Sequence, residues 1–380
     1  MSEQKPTSIT EHFSELPDPR RGPVHKLSDV LTIAICGMIS GANDWVSIAQ
    51  YGRAKQAWFE KYLMLRRGIP SDDTFRRVFE ALDSKAFERC FAAWVKSIST
   101  HLIGLVINID GKALRRSRGQ GSGQAMIHMV SAWAGKNHLV LGQEKVSAKS
   151  NEIRAIPKLL ELLAIEGSVV TMDAMGCQRE IAELITNRSA DYVLALKGNQ
   201  GATHDAVKLV FEHSKQTDFK HVESAYHRTF EKGHGRFEER EYWTIGNVSA
   251  IAEITGQPSW PGLKSMGMVR CRRTVGEKTT EETRYYLSSM PSDAEAFSIA
   301  VRGHWGIENG LHWVLDIAFR EDESRVRSRN GAENLAVLRR IALNLLKQDK
   351  TQKCGIATKR LRAGWDQDFL LAVLAISKGT

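Results

Sequence analysis

At 380 residues, with 42% hydrophobic and 26% charged side chains, the chain is long enough for two or three structural units and is neither disordered nor collagen-like. Fifty-three Lys and Arg against 44 Asp and Glu leave a formal charge of +9, which permits a polyanionic partner but says nothing of fold. Five scattered cysteines without a CxxC pair exclude a disulfide framework and a zinc-finger pattern; with no basic-then-apolar leader and no apolar run of membrane length, a cytoplasmic protein without a membrane partner is expected.

In chain order, residues from about 8 to 98 carry helical periodicity, as in "LSDVLTIAICGMISG" and "KAFERCFAAWVKSI". Within them, "RRGIPSDDTFRRVFEAL" sets Gly68 and Pro70 in a turn, Ser71 at a helix N-cap and Asp72 and Asp73 in the first turn. This has the form of the second helix of a helix-turn-helix, with Arg76 and Arg77 able to face DNA; a plain helix connection fits the same pattern.

From Leu102 the period changes. "LIGLVINID" suits a buried strand ending at Asp110, followed by a Gly111–Lys112 turn and a basic, flexible loop, "RRSRGQGSG". "AMIHMVSAWAG" and "HLVLGQEKVSA" read as two more strands joined at Gly135, Lys136 and Asn137, making a meander. A helix closed by Gly167 precedes the strand "SVVTMD", which ends at Asp173; helix "QREIAELIT" and strand "DYVLALKG" follow. Three strands, then helix, strand, helix and strand, predict an α/β layer with a mixed sheet. Residues of about 218–290 alternate with period two around Gly-containing turns and read as a β-rich insertion, after which the chain closes in helices rich in Lys and Arg. The expected division is a helical segment over 1–98, an α/β unit over 99–345 and a helical C-terminal segment over 346–380.

Asp110 and Asp173 each end a short apolar strand, the place where ligands bind in open α/β sheets; clustered carboxylates repel unless a cation or proton lies between them. Either aspartate alone could simply begin a turn. A third acid comes from "HWGIENGLHWVLDIAFRED", where His304, Glu308, His312 and Asp316 recur every four residues along one helical stripe, bordering the apolar Ile307, Leu311, Val314 and Ala318. His304, Glu308 and His312 span about 12 Å of helix axis at 1.5 Å rise per residue, too far for all three to reach one ion, so at most two neighbours could share a metal; hydrogen bonds from the histidines to other acids or to phosphate are the favoured reading. Three oxygen donors instead suit Mg²⁺ or Mn²⁺. Cations follow each acid in the sequence: Lys112, Arg115, Arg116 and Arg118; Lys197; then Arg320, Arg325, Arg327 and Arg329. Mixed acids and cations fit a phosphate backbone held by cations while metal ions meet its reacting oxygens.

The motifs "NIDGKALRRS", "KSNEI", "VVTMDAMGCQ", "DYVLALKGNQ", "HGRFEERE" and "HWGIENGLHWVLDIAFREDESRVR", in this order and spacing, resemble insertion-sequence transposases with an Asp-Asp-Glu active site, in particular the group that includes the H-repeat-associated proteins. The resemblance covers nearly the whole chain. It implies an RNase H-like catalytic core holding two Mg²⁺ or Mn²⁺ ions on Asp110, Asp173 and Glu308, a β-strand insertion between the second and third acids, and an associated helical N-terminal domain. It also implies hydrolysis at a transposon end and transfer of the freed 3′ hydroxyl to target DNA, by a homodimer or larger assembly associated with the nucleoid when on DNA. The expected DNA contacts are Lys112, Lys197, Arg302, His304, His312, Arg320 and Arg325, with Arg76 and Arg77 from the N-terminal segment. The wider family often carries Tyr seven and Arg four residues before the third acid and Lys seven after it; Val301, His304 and Leu315 stand there in this chain. Two other readings are a transposase-derived DNA-binding protein without activity and an RNase H-like nuclease that cuts without specific ends.

Overall fold

The computed structural model describes residues 9–99, 104–117, 126–146, 152–233 and 235–374. Six helices open the chain: α1 (Ile9–His12), α2 (Leu27–Ile39), α3 (Trp45–Ala54), α4 (Gln56–Phe59), α5 (Asp72–Ala81) and α6 (Ser84–Ile98). Short acceptor side chains start three of them: Asp44, Ser71 and Asp83 take hydrogen bonds from the backbone N–H groups of Ser47, Thr74 and Ala86.

The α/β part begins with β1 (Val106–Leu114), β2 (Ile127–Ala134) and β3 (Leu139–Val146), followed by α7 (Glu152–Leu162), β4 (Val169–Met172), α8 (Arg179–Asn187) and β5 (Asp191–Leu196). The expected meander and parallel additions are present: β1 and β2, and β2 and β3, pair antiparallel, whereas β1, β4 and β5 run parallel. This is the strand arrangement of an RNase H-like core. Two local expectations fail. The strand does not stop at Asp110, because Gly111 and Lys112 continue antiparallel to β2 as far as Leu114. The helix expected to close at Gly167 ends at Leu162, and Gly167 supplies a left-handed turn (φ 69°) leading into β4. Most of the loop read as flexible, from Arg118 to Gly123, lies outside the described residues; its first residues, Arg115–Ser117, form one 3₁₀ turn.

Next come α9 (Gly201–Gln216), β6 (Ser224–Gly233), β7 (Arg236–Ile245), α10 (Ser249–Thr255), β8 (Ser265–Val275) and β9 (Lys278–Ser288). The strands of the β-rich stretch do not form a body of their own. β9 pairs antiparallel with β5, so one nine-stranded sheet runs in the order β3-β2-β1-β4-β5-β9-β8-β7-β6. The chain finishes with α11 (Ala294–Ile307), a π-helical turn at Glu308–His312, α12 (Trp313–Phe319), α13 (Gly331–Gln348), α14 (Ile356–Trp365) and α15 (Gln367–Val373). No helix among the described residues is long and apolar enough to cross a membrane.

Helix α13 joins the parts. Every residue from Gly331 to Leu346 is buried, between the N-terminal helices and β3, within one apolar core that includes Val30, Phe79, Trp133 and Leu338. Its two adjacent arginines, Arg339 and Arg340, lie inside. Arg340 donates to the wholly buried Glu321 at 2.9 Å, and Lys112 reaches the other Glu321 oxygen at 3.2 Å. Burial would raise the Glu321 pKa, but the charges of Arg340 and Lys112 prevail and hold it at about 2.

Breaking this buried pair by Glu321→Ala is expected to cost about 3–5 kcal/mol in urea-denaturation stability. Since the folded carboxyl sits below its unfolded value of roughly 4.3, its contribution is full above that value and is lost as pH falls toward 2. The stability gap between wild type and Glu321→Gln should therefore narrow over that acid range.

Candidate active site

The parallel ladder between β1 and β4 ends at the pair Ile109–Met172. The next residue on each strand is an acid, so Asp110 and Asp173 leave the ladder side by side. One Asp110 oxygen accepts from the Gly111 N–H at 2.9 Å. Asp173 caps the 3₁₀ turn Ala174–Gly176, accepting from the N–H groups of Met175 at 3.1 Å and Gly176 at 3.4 Å.

The third acid arrives by helix, although not on the regular stripe that four-residue spacing predicted. Glu308 opens a π turn, which widens the helix by a residue and reorients its side chains. Gly310, in that turn, lies against Trp133 of β2; a Cβ there would be 3.0 Å from the indole, so glycine permits the close approach. His312, buried at 5% exposure, points its Nδ1 at Asp110 Oδ2 (3.6 Å) and Glu308 Oε2 (3.8 Å). One ligand atom each from Asp110, Glu308 and His312 falls within 4.8 Å of the others. His304 and Asp316 leave this line. His304 Nδ1 is 3.0 Å from the Thr171 hydroxyl, and Asp316 pairs with Lys112. The Thr171 hydroxyl spends its single hydrogen on Asn108 Oδ1 at 2.8 Å, so His304 Nδ1 must donate and its Nε2 is left as an acceptor.

Sequence reasoning missed Glu152. It opens α7 within the quoted "KSNEI" and folds back so that its carboxylate occupies the space a Gly111 side chain would fill, 2.5 Å from an ideal Cβ. His128 of β2 lies 3.7 Å from it. Its signal in the sequence was an acid in the first helical turn after β3, which reads as ordinary complementarity to the helix dipole.

These acids are poorly compensated. Asp110 is pushed up to about 7, first by burial and then by the negative charges of Asp173, Glu308 and Glu152, against the Gly111 N–H. Glu152 is raised by burial and by Asp173. The nearby imidazole does not neutralise them: burial, then the charges of Lys112 and Arg340, push His312 down to about 4, so at neutral pH it is uncharged. A half-buried group of carboxylates with a neutral imidazole is a donor set that fits a hard divalent cation.

The expected DNA contacts fall in different places. Lys197 lies at a cavity of about 270 Å³ beside Asp173, together with His304, Arg284 and Trp305. Trp305 is flanked by the guanidinium groups of Arg240 (5.3 Å) and Arg284 (4.9 Å). Lys112 is not available to a ligand: it is 10% exposed and engaged by Asp316, Glu321 and Asp322. Arg302 pairs with Glu231 of β6. Arg76, Arg320 and Arg325 line a separate cleft of about 730 Å³ between α5 and the segment after α12; Arg76 is paired there with Glu80, and Arg320 with Glu323. Arg77, largely exposed, pairs with Asp73 of its own helix. Val301 and Leu315, where the wider family often has Tyr and Lys, are core residues at 6% and 0% exposure.

The family model described as "Transposase DDE domain" matches residues 75–345, and the one described as "DDE_Tnp_1-associated" matches residues 10–95. The chain thus belongs to the DDE-domain transposases. It is 40% identical to "Putative transposase YncI" of Escherichia coli O157:H7, over 97% of this chain and 94% of that one. It is 38% identical to "H repeat-associated putative transposase YhhI" of Escherichia coli K12, over 97% of each. A shorter relative from K12, 42% identical over 18% of this chain and 86% of its own, is named "Inactive transposase YbfQ". Among solved structures, a piggyBac transposase synaptic complex with hairpin DNA is similar over 97% of this chain and 76% of that one, at 11% identity and a TM-score of 0.42.

Gly310→Ala is expected to destabilise the fold by about 1–3 kcal/mol, because the added methyl meets a fully buried indole that has no room to withdraw. Urea denaturation of the single variant and of Gly310→Ala/Trp133→Phe checks it: the smaller ring should recover part of the loss of the glycine substitution.

Proposed function

We propose that the chain is an active DNA transposase that binds the terminal inverted repeats of an insertion sequence and uses one acidic site for strand cleavage and strand transfer. What supports this reading is that Asp173 and Glu308 each lie close enough to Asp110 for their charges to push its pKa up, in a chain of the DDE-domain family. In the cleavage step, a water oxygen bonds to the phosphorus at the transposon end, the bond from phosphorus to the 3′ oxygen breaks, and the 3′ hydroxyl is released. In the transfer step, that hydroxyl bonds to a target phosphorus, and the displaced 3′ oxygen of the target leaves with a proton. Both steps exchange one phosphorus–oxygen bond for another, so no redox partner is needed.

Asp110, Asp173 and Glu308 would hold Mg²⁺ or Mn²⁺, two ions in all, with Glu152 facing the same space. Bound there, the ions would activate the attacking oxygen and stabilise the leaving one. The protein's own part is placement. Gly111 N–H orients the Asp110 carboxylate, and the Met175 and Gly176 N–H groups orient that of Asp173. Neutral His312 fills the space between Asp110 and Glu308 without adding a positive charge that would oppose a metal ion. Lys197, at the neighbouring cavity, would hold the phosphate flank of a DNA end, whereas His304, whose one ring hydrogen goes to Thr171, offers a phosphate no donor. Arg76, Arg320 and Arg325 would contact the duplex farther out, and a homodimer or larger assembly would hold two ends.

Asp110→Asn is expected to abolish nicking of a supercoiled plasmid carrying the element's ends in Mg²⁺, while a gel shift of end DNA persists within about twofold. It should also lower Mn²⁺ affinity in calorimetry. Nicking by this variant would refute the assignment. Wild-type protein that shifts the ends but never cuts would support a binder without activity, and equal cutting of plasmids lacking ends would support a general nuclease.

A further inference from the structure

The two edges of the nine-stranded sheet are finished differently. At β3, the outer backbone groups are met by buried side chains. Asn344 accepts from the Val140 N–H (2.8 Å) and donates to its carbonyl (2.9 Å), while Glu88 accepts from the Gln143 N–H (2.9 Å). At the opposite edge lies β6, ten residues long, and among the described residues no side chain meets its outer backbone. Its exposed face carries Tyr226, Arg228, Phe230 and Lys232; Tyr226 is 52% and Phe230 55% exposed. A long uncovered edge with exposed aromatics is a pairing surface unless its charges forbid it.

Whether they forbid it depends on register. When two copies of one strand pair antiparallel about a twofold axis normal to the sheet, side chains of the same face stand opposite each other, so the axis passes through a residue. An axis through Arg228 sets two guanidinium groups against each other, one through Phe230 sets Arg228 against Lys232, and one through His227 sets Glu231 against Glu223. An axis through Thr229 has no such conflict. On the exposed face it brings Arg228 to Phe230 and Tyr226 to Lys232, each a cation against an aromatic ring. On the other face it brings His227 to Glu231 and Ala225 to Gly233. Within one chain the Arg228 guanidinium already rests 4.5 Å from the Phe230 ring, so the paired strands would interleave two such contacts.

We infer that β6 is an interface with a second copy of this chain, joining two sheets edge to edge about a twofold axis at Thr229. The interface uses none of the acidic-site residues and needs no DNA, so it stands or falls apart from the proposed activity.

The test uses full-length protein without DNA. Wild type is expected to sediment at twice the monomer mass, and Phe230→Arg, which sets Arg against Arg228 of the other copy, should return it to monomer. To read the register, Cys354→Ser copies carrying Arg228→Cys are mixed with Cys354→Ser copies carrying Phe230→Cys and oxidised. This pair should link, whereas Tyr226→Cys with Phe230→Cys, one diagonal step out of register, should not. All four positions are exposed, so the variants keep the fold. A monomeric wild type, which would leave the edge to some other extended segment, overturns the inference. A dimer indifferent to Phe230→Arg, or linked preferentially through positions 226 and 230, overturns it as well.

Discussion

Lys112 decides whether this chain has one site or scattered acids. Two residues beyond Asp110 on the same strand, it is held by Asp316, Glu321 and Asp322, all more than 200 positions later, and Glu321 passes the charge on to Arg340 in the central helix. The strand with the first acid, the helix with the third and the helix that packs the N-terminal segment are thus fastened by one ionic chain. Desolvating those charges is costly, and the chain is best understood as fixing position more than adding stability. A residue that could have gripped phosphate instead sets the geometry around the acids.

The site is built with an unresolved conflict. Asp110, Asp173, Glu308 and Glu152 raise one another's electrostatic energy, and the histidine among them is uncharged because burial, and then the charges of Lys112 and Arg340, oppose its protonation. Cations that could quench the acids are either spent on Glu321 and its neighbours or stand away at Lys197 and the Arg76–Arg320–Arg325 cleft. The protein keeps its negative charge concentrated where a hard cation would be drawn.

Much of this was legible because it is local. Short branched-apolar runs ending in Asp announced β1 and β4, period-two alternation announced β6 to β9, and Ser71 announced its cap. What escaped was decided by distant partners. Gly111–Lys112 looks like a turn pair, but remains in a strand because Lys112 has a buried partner near the other end of the chain. The β-rich stretch lies between the second and third acids as expected, but nothing local reveals that β9 pairs with β5 and so carries it into the same sheet. The π turn at Glu308 follows from the indole of Trp133 against Gly310, and Glu152 from a missing side chain at Gly111; each is a fit between two segments, visible only once both are placed.

The continuity of the sheet has a mechanical meaning. From β4, which presents Asp173, to the free edge at β6 there are five strand steps without a hinge or linker. The sheet curls around α11, whose Arg302 pairs with Glu231 at that edge while the adjacent Gly303 packs on Val106 of β1, the strand that carries Asp110. The hydrogen-bonded ladder between edge and acids acts as a ruler: whatever is grasped at the edge is held at a set span from the acids.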